Sequence, residues 1–109
     1  MSYEEIEKRF PLAINYMLER YGEMGLTKGV LLSIVQAGVE KFGMKPNESL
    51  LFTMQAFADD SGKEDWLNLQ MAAELMEKSE DEVWEIMREK GVGVSIAPAP
   101  WLKDFLENR

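Results

Sequence analysis

Nearly all the groups in this chain that could do chemistry are carboxylates, amines and phenols: 20 aspartates and glutamates, 12 lysines and arginines, three tyrosines, no histidine and no cysteine. That inventory excludes disulfides, thiolate nucleophiles, the usual zinc sites and imidazole acid–base catalysis. Carboxylate, lysine or tyrosine catalysis remains open in principle, as does a borrowed cofactor. The spacing supports none of these. The densest acidic run is Asp59, Asp60, Glu64, Asp65. A calcium loop needs ligands at alternate positions, glycine at the sixth and glutamate at the twelfth, and with Gly62 as the sixth the first position is Phe57. These carboxylates are therefore expected at a solvated helix start, where they favour the helix dipole. Gly91-Val92-Gly93 lacks a third glycine and precedes an extended segment instead of following a strand, so it is no dinucleotide loop. Gly22 to Lys28 does not match a phosphate loop. Glu19, Glu23 and Glu40 would need Glu-x-x-His partners to hold a bundle metal, and the chain has none. The expectation is a non-enzymatic protein with no catalytic residue, no metal and no cofactor.

Charge points to binding. The formal net charge is −8. Residues 1–55 hold seven acidic and six basic groups, whereas residues 56–109 hold thirteen and six, so the second half carries nearly all of the excess. Such a field repels phosphates and favours a protein partner with a basic surface over nucleic acid or an anionic membrane. No apolar run approaches the roughly 18 residues of a membrane span. Met1-Ser2-Tyr3-Glu4-Glu5 is acidic where a secretory signal is basic, so the cytoplasm is the expected location.

The elements that position these groups read as one all-α domain over 1–109, a compact bundle of five or six short helices. Ser2-x-x-Glu5, Ser61-x-x-Glu64 and Ser79-x-x-Glu82 each match the capping box, in which a hydroxyl and a carboxylate satisfy free amides at a helix start. The first helix spans about 3 to 21 with Ile6, Phe10, Ile14, Met17, Leu18 and Tyr21 on one face, kinked or split at Pro11. Thr27 caps a second helix that ends at Gly43. Its residues Val30, Leu31, Ile34, Val35, Val39 and Phe42 make it the most apolar stretch and the expected central helix. Pro46 opens a third, with Leu50, Leu51, Met54, Phe57 and Ala58 inward, broken by Asp59-Asp60-Ser61-Gly62. The fourth presents Trp66, Leu67, Leu69, Ala73 and Met76, and the fifth presents Val83, Ile86 and Met87 before Gly91. Val92, Val94 and Ile96 then alternate as a short extended segment over 92–96. Residues 97–100, Ala-Pro-Ala-Pro, form a stiff link outside any ladder to a last helix over 101–107. Met17, Met54, Met71, Met76 and Met87 fall at helical spacing and are expected in the core.

The stretch from Ala72-Ala73-Glu74-Leu75 through Ser79, Val83-Trp84 and Gly91 resembles the helix-turn-helix of excisionase-like and MerR-like DNA-binding domains. The resemblance covers about a fifth of the chain and implies a helix-turn-helix pair within about 63–90, with Gly91 opening a short wing. It implies a second function, a transcriptional regulator that binds DNA. The positions that would face DNA depart from the pattern. Glu77 and Lys78 replace the turn's usual glycine and buried aliphatic, and Glu80, Asp81 and Glu82 open the recognition helix. Counterion release cannot drive such a face onto phosphates. Basic contacts would have to come from Lys8, Arg9, Arg20, Lys28, Lys41 and Lys45, or from another subunit.

Two surfaces are thus candidates for a protein partner: the acidic start of the fifth helix, through Glu80, Asp81, Glu82 and Glu85, and the last helix, through Trp101, Leu102, Phe105 and Leu106. The last helix either packs on its own domain or docks into a second copy as a helix in a groove, making a homo-oligomer.

Overall fold

Helix ends follow the polar residues that stop or start them. Ser2 and Ser79 form complete capping boxes with Glu5 and Glu82, and Thr27 and Asn68 accept the amides of Val30 and Met71. Gly43, Gly62 and Gly91 terminate helices in the left-handed region that an L side chain resists. The computed structural model describes residues 1–92 and 96–108. In chain order these form α1 (Tyr3–Arg9), α2 (Pro11–Tyr21), a 3-10 turn (Gly22–Met24), α3 (Lys28–Phe42) and α4 (Pro46–Ser61). There follow β1 (Trp66–Asn68), α5 (Leu69–Met76), α6 (Glu80–Lys90), β2 (Ile96–Pro98) and α7 (Ala99–Glu107). Among the described residues no helix is long and apolar enough to cross a membrane.

This is the compact all-α bundle the periodicity predicts, with a two-stranded ribbon added. One apolar cluster draws on every helix, from Ile6 and Phe10 through Ile14, Met17, Leu31, Val35, Leu50, Leu51 and Met54 to Leu75, Met87, Leu102 and Leu106. All five methionines expected in the core are buried. Burying each such side chain stabilises by roughly 1.5–3 kcal/mol, the main offset to chain entropy. The split at Pro11 is as expected, because the ring removes an amide and fits only a first turn.

Several expectations are corrected. Ser61 does not cap a helix: it ends α4, and its hydroxyl turns back to donate to the carbonyl of Phe57 at 2.8 Å. With that cap lost, Trp66 and Leu67 leave the helical state and form β1, Leu67 buried and Trp66 outward. The helix-turn-helix pair therefore starts at Leu69, not near 63.

The extended segment is displaced too. Val92 lies in a turn, residues 93–95 fall outside the described residues, and the strand is Ile96–Pro98, inside the expected link. The Ala-Pro-Ala-Pro stretch does join a ladder: Trp66 pairs with Pro98, Leu67 with Ala97 and Asn68 with Ile96, antiparallel. The Ala99 amide donates to the Asp65 carbonyl at 3.0 Å, continuing that register. Bonded and non-bonded pairs alternate in an antiparallel ladder, so Pro98, one place from Ala99, stands where its missing N–H removes no bond. The last helix accordingly begins at Ala99.

Finally, α3 is not central. Leu31, Leu32, Val35 and Gly38 face the core, while Val30, Ile34 and Phe42 face out.

Candidate functional site

The order β1–α5–turn–α6–β2 sets the helix-turn-helix pair on a ribbon, and the small side chains of Ala72 and Ala73 bury beside Leu75, Val83 and Met87. The turn is built on Glu77, the one non-glycine among the described residues with positive φ, at 57°. An L residue in this left-handed conformation costs about 1–2 kcal/mol. The turn is held from outside. The Lys78 amide donates to the Ala73 carbonyl at 3.1 Å, Asn47 Nδ2 donates to the Leu75 carbonyl at 2.8 Å, and the Arg9 guanidinium pairs with the Glu77 carboxylate.

A further clamp comes from Glu74. Its two carboxylate oxygens accept the backbone amides of Leu12 and Ala13, each at 2.9 Å. Phe10 offers α2 no side-chain cap, so a residue of α5 does that work across more than 60 positions of sequence. Burial holds the Glu74 carboxyl above its usual range, opposed by the two amides.

The resulting unit presents α6 outward. Val83 and Met87 are buried, whereas Glu80, Asp81, Glu82, Glu85 and Glu89 are exposed together with Arg88 and Lys90. The Ser79 amide and hydroxyl donate to Glu82 and hold its carboxyl below the usual carboxylate range. Arg88 is drawn back onto its own helix, bonded to Glu85 at 2.8 Å with its guanidinium 5.3 Å from the half-buried Trp84 ring. One basic group of the face is thereby neutralised locally. The four acidic positions expected to bind, Glu80, Asp81, Glu82 and Glu85, lie together on the first turns of α6, all in solvent.

The second expected surface is arranged differently. Leu102 and Leu106 of α7 are buried in their own chain, and Trp101 stacks on Phe105 with centroids 5.5 Å apart, both half-buried against the core. In this arrangement α7 is packed in cis and does not offer those leucines to another molecule.

Sequence reasoning missed one constellation. Asp65, expected in solvent at a helix start, is 3% exposed. Tyr16 and Tyr21 donate their hydroxyls to its two oxygens, each at 2.6 Å. Arg20 Nε lies 2.6 Å from Oδ1 as an ion pair at an angle that is not a hydrogen bond, while Arg20 Nη2 donates to the Glu64 carbonyl at 2.7 Å. Burial, then the bond to Asp65, raises both phenols, Tyr21 to about 12 and Tyr16 further. The cluster fastens α2 to the segment entering β1. Both Asp65 oxygens are thereby engaged within the chain. The signal available in sequence was Tyr16, Arg20 and Tyr21 on one side of a helix that otherwise reads as core.

Among the described residues, no three side chains of metal-ligating type converge. Glu19, Glu23 and Glu40 are exposed and scattered, Glu40 lying 3.9 Å from the N-terminal amine. The chain matches no protein-family model, no curated protein and no solved structure.

Proposed function

We propose that this chain is a non-enzymatic interaction domain that uses the outer face of α6 to bind a protein with a basic surface. The observation that carries the proposal is the pairing of a rigidly braced α5–turn–α6 unit with an exposed face of five carboxylates, one of whose two cations is tied to Glu85. A face held by contacts from several elements is preorganised, so little ordering entropy opposes docking, and its charge steers a cationic partner.

The alternative is a DNA-binding helix-turn-helix regulator, favoured by the β1–α5–turn–α6–β2 order. Its difficulty is the source of cations. Of the six basic residues of the first half, Arg9 pairs with Glu77, Arg20 with Asp65 and Lys28 with Glu7.

Titration calorimetry with a lysine-rich helical peptide and, in parallel, with duplex DNA separates the two. Peptide binding that weakens with salt and is lost in Asp81→Lys/Glu85→Lys supports the interaction domain. Duplex binding at low salt with a steep salt slope supports the regulator and overturns our reading.

A further inference from the structure

The sequence makes α3 an apolar helix with few charges, yet the fold buries only one side of it. Val30 is 45% exposed, Ile34 39% and Phe42 78%, and Phe52 on the neighbouring α4 is 56% exposed. A helix that is apolar on both sides is normally covered on both. Between α3 and α4 runs a groove of about 220 Å³ lined by Ile34, Ala37, Phe42, Met44 and Phe52. That is smaller than the roughly 300–1,000 Å³ of small-molecule sites, and suits a protruding side chain.

We infer that this face binds a second copy of the same chain, the α3–α4 pairs of two molecules packing across a two-fold axis as a four-helix layer. Three observations select this occupant. Phe42, the most exposed large apolar side chain of the described residues, sits at the rim of the groove. An isologous interface pairs each patch with itself, so one copy's Phe42 meets the other's groove and the exchange is reciprocal. Charge agrees. A chain of net −8 repels itself, but nearly all of the excess lies beyond residue 55, and the apolar residues here are flanked in sequence by Lys41 and Lys45 against Glu40 and Glu48. The Lys103 ammonium lies 5.9 Å from the Phe52 ring, so both signs border the patch and a two-fold arrangement can set lysine against glutamate.

Size agrees as well. Two helices about 22 Å long and packed about 10 Å apart offer a face on the order of 450 Å² in projection, and more as accessible surface. Two copies then reach the roughly 1,000 Å² at which specific association begins, so the dimer belongs to the weak, micromolar class. The interface leaves α6 uncovered and does not depend on the function proposed for it.

Sedimentation equilibrium on the whole chain, from about 1 μM to about 1 mM, brackets that affinity class. The expected result is a molar mass that doubles and then stays level. Ile34→Glu and Phe42→Glu, both at exposed positions, hold the mass at monomer with helical circular dichroism retained. Because the chain has no cysteine, Ala37→Cys mixed with Phe42→Cys gives a disulfide-linked heterodimer on mild oxidation, since residue 42 of one copy meets the groove lined by residue 37 of the other, whereas Ala37→Cys mixed with Glu85→Cys on α6 gives none. The cross-link carries the test where a glutamate variant loses helicity. A monomeric mass throughout, a dimer that both glutamates leave intact, or no more cross-linking in the 37/42 mixture than in the 37/85 mixture overturns the inference.

Discussion

At the scale of residues, the best-satisfied group is Asp65, and its worth can be measured. A hydrogen bond to a charged group contributes about 1.5–3 kcal/mol, so Tyr21→Phe should lower stability by about that much in urea denaturation. Asp65→Ala should cost more, about 3–5 kcal/mol, because it strands Arg20 and two phenols. The raised phenols also set a pH dependence. Both have folded-state pKa values above the unfolded 10.0, Tyr21 at about 12. Their contribution is complete below about pH 10 and is lost as pH rises toward 12, since only the unfolded chain then releases those protons. Urea midpoints should therefore stay nearly level from pH 8 to 10 and drop from 10 to 11, and that drop should shrink in Tyr21→Phe. Equal falls in both proteins would show that the Tyr21 shift does not govern alkaline stability. Tyr16, Arg20 and Tyr21 on one side of α2 were the one legible sign, because nothing in Glu64-Asp65-Trp66 says that one carboxylate turns inward while its neighbour stays in solvent.

At the scale of elements, caps and apolar period were legible where each helix carries its own signals, as at Ser2, Thr27, Gly43, Ser79 and Gly91. They misled where tertiary contacts decide. Ser61-x-x-Glu64 has the letters of a capping box, but Gly62 closes α4 first and the serine bonds backward. The acidic face of α6 was legible because charge on an exposed helix needs no partner to be read, whereas the bracing of that face by Glu74 was not, since its amides lie more than 60 residues away. Two substitutions probe such long-range contacts. Glu74→Ala leaves two amides at the start of α2 without their acceptor and should cost about 1–2 kcal/mol, with Glu74→Gln between it and the native chain. Gly38→Ala tests the α3–α4 seam. Alanine normally stabilises a helix interior by about 1 kcal/mol over glycine. Here its Cβ would strike the hydroxyl of Ser49, which donates to the Val35 carbonyl at 2.8 Å. Gly38→Ala should thus lower the thermal midpoint, and adding Ser49→Ala should recover most of the loss. A rise in the single variant would refute the close contact.

At the scale of the whole molecule, composition foretold the class of fold and the sign of the surface but not which helix is central, because α3 is as apolar as a buried helix and only the packing reveals that one side is left over. The same scale sets the response to salt. The surface ion pairs between side chains, Arg9–Glu77, Lys28–Glu7, Arg88–Glu85 and Lys103–Glu107, are exposed in whole or part. Each is worth about 0–1 kcal/mol and is weakened by salt. Against them stands the self-repulsion of thirteen carboxylates in the second half, which opposes the compact state and is screened by the same ions. Raising sodium chloride from about 0.01 M to about 0.15 M shortens the screening length from about 30 Å to about 8 Å. Repulsion among many carboxylates outweighs four weak pairs, so the thermal midpoint should rise over this range at fixed protein concentration. A gain of about 1 kcal/mol would raise it by about 4–8 °C in a domain near this size. The rise should level off above physiological salt, which separates screening from a general salting-out that keeps climbing. A midpoint that falls with salt would mean that the ion pairs, not the excess charge, dominate the surface.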